Sequence, residues 1–272
     1  MVELKKNRLL DCITFFDNNF MFQIRYNILV DHVDYFVVCE SLFDHKGKEK
    51  KQNFIWKDEY DKDKIKYFLL DKPFPKNSNP WKNQAIQREF LLNCTDFADN
   101  DDYIFFSDPD EIVKPELLKN FELKNKYGIF MMDCFNYKFN LFNPYESPWE
   151  GTRVSKKKNL KSIDFLRQKI KSKNLRYNFY RFDKEKNIKI FHRAGWHFNN
   201  IMSAKEISIK LKTFAHSEFS GERFTNEDLI NSRISGHKDL FERGHKYKKV
   251  ELDNSYPDYI IENREKFNEW II

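Results

Sequence analysis

Apolar and polar positions follow two rhythms in the first half of the chain. Residues 9–16 (Leu-Leu-Asp-Cys-Ile-Thr-Phe-Phe) make a nearly unbroken apolar run of strand length, and residues 35–40 (Tyr-Phe-Val-Val-Cys-Glu) repeat it, as strands covered on both faces do. Residues 65–70 and 103–106 read the same way. Between these runs Phe20, Ile24, Ile28 and Leu29 recur at helical spacing behind Asn18 or Asn19 as cap. Asn79-Pro80 supplies a cap and a first-turn proline for a second helix over about 81–94. The order strand, helix, strand, strand, helix, strand predicts an α/β fold with a doubly wound sheet flanked by helices.

The second half opens on an aromatic segment, 129–142, that reads as strands. Ser203-Ala204-Lys205-Glu206 has the spacing of a capping box and predicts a helix reaching about His216. Thr225-Asn226-Glu227-Asp228 starts another helix, and a last one follows Pro257, so the carboxyl-terminal part is expected to be helical. No internal repeat and no linker rich in Gly, Pro or Ser divides the chain, which points to one domain over 1–272.

Composition narrows the class. Of 272 residues 40% are hydrophobic and 17% aromatic, enough to bury a substantial core. Seven glycines are few, and neither a GxGxxG nor a P-loop pattern occurs, so any phosphate would be held by metal and cationic side chains. No apolar run approaches the roughly 18 residues that span a bilayer, and residues 1–10 lack the apolar core of a secretory signal. The expectation is a soluble, cytoplasmic protein. Cys12, Cys39, Cys94 and Cys134 stand singly in apolar segments, without zinc-ligand spacing, and read as buried thiols.

Charge is uneven. Residues 153–193 carry 15 Lys or Arg against Asp164, Asp183 and Glu185, a positive surface that could be a solvated face or could meet an anionic membrane or a phosphorylated acceptor. Nucleic acid is the less favoured partner.

The strand over 103–106 runs directly into Ser107-Asp108-Pro109-Asp110-Glu111. Three carboxylates in four residues suit Mg²⁺ or Mn²⁺, which prefer oxygen ligands and keep positions open for phosphate. The alternative is a proline turn with Glu111 opening a helix. A second segment, Phe191-His192-Arg193-Ala194-Gly195-Trp196-His197-Phe198, combines a small pair that permits close backbone approach with an indole and an imidazole. Its alternative is a strand end with a packed tryptophan.

Taken in order, Asp34-Tyr35-Phe36-Val37-Val38-Cys39-Glu40-Ser41, the cluster Ser107-Asp108-Pro109-Asp110-Glu111-Ile112 and Ala194-Gly195-Trp196-His197 resemble glycosyltransferase family 17. This is the family of the β-1,4-mannosyl-glycoprotein β-1,4-N-acetylglucosaminyltransferase. Weaker likeness runs through Ile24-Arg25, 81–92 and 259–270, so the resemblance covers nearly the whole chain.

It implies a GT-A-like fold, a divalent cation, a UDP-sugar donor with N-acetylglucosamine as first choice, a glycan acceptor and inverting transfer. The nucleotide-sugar half would span about 1–125 and the acceptor side about 126–272. By position, Asp108, Asp110 and His197 look like the metal set, with Glu111 supporting them or the sugar. Glu40 and Ser41 would face the donor nucleotide, with Arg25 and Arg88 as charge partners and Phe16 and Trp196 as flat surfaces. His45 and Lys48 would close over the phosphates, to which Lys205 or Lys210 would add charge. Glu150 and Asp228 are the candidate general bases. The basic stretch has little likeness to the vertebrate members, which directs the expected acceptor toward a surface polysaccharide or another glycoconjugate. Rival classes are a non-catalytic module for anionic surfaces or nucleic acid, and a metal-dependent phosphohydrolase or nucleotidyltransferase.

Overall fold

The computed structural model describes residues 6–214 and 217–272. At its centre β1 (Leu9–Phe15), β2 (Tyr35–Ser41), β3 (Ile65–Leu70) and β4 (Tyr103–Ser107) run parallel in the spatial order β3-β2-β1-β4. Alternate side chains of each strand enter different cores, because successive Cβ atoms point to opposite faces. Ile13 and Phe36 pack with Phe22, Ile24 and Leu29 of α1 (Asn19–Leu29). Cys12 and Val37 pack on the other face with Leu91 of α2 (Pro80–Asn93). Helices therefore cover both faces, as the continuous apolar strands require. Helix α2 starts where expected, with Asn79 Oδ1 accepting from the Lys82 amide at 2.9 Å.

The rest of the chain extends the same sheet. After β5 (Glu111–Val113) come β6 (Tyr127–Asn136), β7 (Leu141–Phe142) and β8 (Trp149–Lys156), and β8 inserts antiparallel between β4 and β6. Helix α3 (Ile163–Lys169) lays Ile163 and Leu166 into the core of α2. Strand β9 (Ile188–Phe191) runs parallel to β6, and β10 (Gly195–Asn199) pairs with both β6 and β5. Helices α4 (Ala204–Thr213), α5 (Glu222–Thr225) and α6 (Glu227–Ser235) close a third core around Ile207, Leu211 and Ile230. Strand β11 (Lys248–Lys249) pairs with β7, and α7 (Asp258–Glu262) follows Pro257. Strands from both halves share one sheet, so the fold is a mixed α/β sheet flanked by helices, with a helical carboxyl-terminal part.

Three expectations change. The capping box of Ser203 and Glu206 forms, but α4 ends at Thr213, and His216 lies outside the described residues. Glu111 opens a strand rather than a helix, because its backbone pairs with His197 of β10. The basic stretch is not one surface: it contains β8, α3 and β9. All four cysteines are buried free thiols, and among the described residues no helix is long and apolar enough to cross a membrane.

Candidate functional site

The parallel strand β4 ends at Ser107, whose hydroxyl meets that of Thr152 on β8 at 2.7 Å. The turn that follows is closed by the Glu111 amide donating to the Asp108 carbonyl at 3.0 Å. From there β5 pairs antiparallel with β10, placing Glu111 opposite His197, and the Phe198 amide donates to the Asp110 carbonyl at 2.9 Å. Gly195 makes this pairing possible, because a Cβ there would run into the Ile112 carbonyl. Sheet register therefore brings the two segments singled out in the sequence together, with His197 Nε2 lying 3.6 Å from Asp110 Oδ1.

The acids divide into two groups. Asp108 and Glu111 face arginines. Arg167 donates to Asp108 Oδ2 at 2.5 Å and to Glu111 Oε1 at 2.7 Å, while Arg88 lies 3.8 Å from Asp108. Glu111 also accepts from the Trp149 indole at 2.7 Å and from the Asp108 amide at 3.1 Å. Asp110 instead faces His197 and Lys210, whose Nζ is 3.8 Å away. Both distances exceed a hydrogen bond, so the Asp110 carboxylate keeps lone pairs free.

Electrostatics follow the geometry. Burial raises the Asp108 pKa, but Arg167 and Arg88 outweigh it and hold the group below its ordinary value. Burial acts likewise on Asp110, and there His197 and Lys210 keep the carboxylate ionised. Burial disfavours the His197 imidazolium, yet Cys134 and Asp110 at its two ring nitrogens push its pKa well above the usual value. Trp149 stacks on the imidazole at 4.7 Å between ring centres and fixes its plane.

Other expected residues lie near this centre without entering it. His45 bonds Gln87 Oε1 through Nε2 at 3.1 Å, and its ring meets Phe214 at 5.7 Å. Burial lowers its pKa, against the opposing pull of Gln87. Phe16 borders a groove beside α1 and α4 that Asp17, Met202, Ile209, Lys210 and Phe214 also line. Lys210 is thus shared between the groove and Asp110.

Several assignments need correction. Arg25 is wholly buried, forks onto Asp11 of β1 and donates to the Glu111 carbonyl, so it braces β1 against β5 and cannot reach a ligand. Glu40 accepts from Lys50, the amides of Asn53 and Phe54 and the Tyr67 hydroxyl, which consumes its oxygens in holding the segment after β2. Ser41 is buried and accepts from the Phe43 amide at 3.0 Å. Trp196 is a core residue whose indole donates to the Ser255 carbonyl at 3.1 Å.

Lys205 and Lys48 are exposed and touch none of these acids, and of the two lysines considered it is Lys210 that lies beside Asp110. Glu111 is saturated by its donors and acts as a positioning residue. Glu150 is clamped by Ser172 and by Arg153 at 2.9 Å, which removes it as a free base. Asp228 sits exposed in the first turn of α6, where it complements the helix dipole.

Arg167 and Arg153 escaped the sequence reading because they lie in a stretch taken whole as surface. The signal was there: Ile163, Leu166 and Ile170 mark the buried face of α3, and Arg167 shares that face at i+4 from Ile163.

A sequence model of glycosyltransferase family 17 matches residues 2–268. The chain belongs to that family and is a glycosyltransferase, which implies a sugar donor and an acceptor. No curated protein matches it. Among solved structures, a Bacillus anthracis protein assigned as a glucose-1-phosphate thymidylyltransferase, in complex with sucrose, matches with TM-score 0.34 and 11% identity, over 70% of this chain and 88% of its own. HddC from Yersinia pseudotuberculosis, complexed with GMP-PN, matches with TM-score 0.33 and 9% identity, over 69% and 91% respectively. Likenesses this weak set no constraint on the present chain.

Proposed function

We propose that the protein is a metal-dependent, inverting glycosyltransferase of GT-A type that moves a sugar, N-acetylglucosamine first, from a UDP-sugar to a glycan of a surface polysaccharide or glycoconjugate. The observation that carries this reading is the Asp110 carboxylate at the end of a parallel strand, with unused lone pairs, beside His197 and Lys210 and next to an open groove. Ligands of open α/β sheets bind at such carboxyl ends.

One carboxylate and one imidazole fit a Mn²⁺ or Mg²⁺ ion. Among the described residues no cluster of three or more His, Cys, Asp or Glu converges, so the remaining positions would fall to diphosphate oxygens and water. Asp110 and the neutral form of His197 would hold the ion, whereas Asp108 is committed to Arg167. When bound, the cation supplies a positive charge that neutralises the departing diphosphate.

The chain's own residues do the rest. Lys210 adds a fixed positive charge at the mouth of the groove, Arg167 and Arg88 keep Asp108 ionised, and Arg167 holds Glu111 in place. Trp149 and Glu111 lock the orientation of His197 and of the turn. The groove by Phe16 and Phe214 offers aromatic walls for a nucleoside. The exposed cations of the basic stretch 153–193, among them Lys169, Lys173 and Arg176, add a peripheral contact with anionic membrane.

A thermal-shift panel of UDP-, GDP-, CDP- and dTDP-sugars, each with and without Mn²⁺, tests the proposal. UDP-N-acetylglucosamine with Mn²⁺ should give the largest stabilisation. Equal shifts for all four nucleotides, or shifts indifferent to the metal, would remove the donor and metal assignments.

A further inference from the structure

Between the short 3-10 turn over Ser172–Arg176 and β9 the chain forms an irregular loop whose tip is apolar. Phe179 is 85% exposed and Phe182 90%, with Leu175, Tyr177 and Tyr180 exposed beside them. Of the twelve large apolar side chains exposed among the described residues, five fall within 175–182, a concentration that single scattered surface residues do not produce. Around them lie eight Lys or Arg between 169 and 189, against Asp183 and Glu185. Both acids are already paired, Asp183 with Arg181 and Lys184, and Glu185 with Lys126. Lys169, Lys173 and Arg176 are exposed and have no acidic partner among the described residues.

The root of the loop is fixed to the site. Arg153 Nε donates to the Ile170 carbonyl at 3.1 Å, Ser172 donates to Glu150, and Asn174, buried, donates to the Lys169 carbonyl at 2.8 Å. At the other end, β9 is held in the sheet by β6. The outermost side chains thus project from a rigid base that also positions Arg167.

We propose that this loop docks the enzyme on an anionic phospholipid bilayer, with Phe179, Tyr180 and Phe182 entering the interfacial layer and Lys169, Lys173 and Arg176 meeting the headgroups. The proposal deepens the peripheral contact named above and rests on it, but not on the donor or metal assignments. Two features select lipid over a protein or a glycan. The two phenylalanines stand almost wholly exposed and offer no hydrogen bond, whereas sugar-stacking rings sit beside polar partners. Exposed aromatic residues in a segment rich in exposed cations match the boundary of an anionic bilayer, where apolar area and charge add.

Co-sedimentation with vesicles tests it, using phosphatidylcholine alone and an equal mixture of phosphatidylcholine and phosphatidylglycerol. The protein should pellet with the mixed vesicles only, and less as salt rises. Phe179→Ala/Phe182→Ala and Lys173→Glu/Arg176→Glu should each weaken binding at least about tenfold. Both pairs should leave the melting temperature and the UDP-sugar thermal shift unchanged, since these side chains are exposed and outside the groove. Absence of binding to the mixed vesicles, or binding unaltered by either pair, overturns the proposal. So does capture of single-stranded RNA or of a soluble oligosaccharide, in place of vesicles, that the same substitutions abolish.

Discussion

Arg153 and Arg167 on one side, and Lys173 and Arg176 on the other, come from the same basic stretch and meet opposite fates. The first two are buried and bind Glu150, Asp108 and Glu111, while the second two are exposed on a projecting loop. A segment's net charge therefore says little about what its cations do. What separates them is the element each sits in: Arg167 falls on the apolar face of a helix, and Arg153 lies in the middle of β8, where residues 151–155 are all buried. Lys173 and Arg176 belong to no amphipathic pattern.

Breaking that contrast gives the largest expected effect. Arg167→Ala leaves the buried Glu111 carboxylate without its cation and half-buried Asp108 with Arg88 alone, and should cost about 3–5 kcal/mol. Arg176→Ala, at the surface, should stay within about 0.5 kcal/mol. Urea denaturation of both variants measures the difference, and equal losses would show that Arg167 is not the buried clamp described here.

A smaller effect distinguishes the two acids first considered as bases. Glu150→Gln gives up the charge opposite Arg153 and should destabilise the fold by about 1–3 kcal/mol, with the loosened root of the 172–176 turn seen as faster amide exchange. Asp228→Asn should move stability by only a few tenths, about 0.3–0.5 kcal/mol, and leave turnover unchanged. A large activity loss in Asp228→Asn with normal stability would restore it as a candidate base.

The smallest effect is in pH dependence. Lys171 is half-buried near Arg153 and Arg167, and burial together with those cations lowers its pKa from 10.5 to about 8. The unfolded chain then binds more protons than the folded one between about 8 and 10.5, so this group makes stability rise with pH across that window. Its penalty is fully present below pH 8. Lys171→Met should remove the penalty, leaving the variant slightly more stable at pH 7 and matching the wild type above pH 10.5. Thermal melts of the two proteins across this range check the sign.

The architecture was readable where local and global signals agreed. Strands β1 to β4 are continuous apolar runs, Asn79 and Ser203 cap the helices they were expected to cap, and the helix expected to start within 225–228 is capped by Asn226. The site was only half readable. Asp110 and His197 come together through β5–β10 register, which no local pattern encodes. Arg25 looked available for a ligand, yet Asp11 in the middle of an apolar strand already called for a buried cation. Glu40 was similarly misjudged, because the amides of Asn53 and Phe54 that occupy it belong to a segment without periodicity. Residues whose role depends on a partner far along the chain were the ones missed.

Calorimetric titration of UDP in the presence of Mn²⁺, with wild type and Asp110→Asn compared, tests the central claim most directly. Metal-dependent binding in the wild type, weakened at least about tenfold in the variant while its melting temperature is retained, is the predicted result. Equal UDP affinity in the two proteins, with or without the metal, would contradict it.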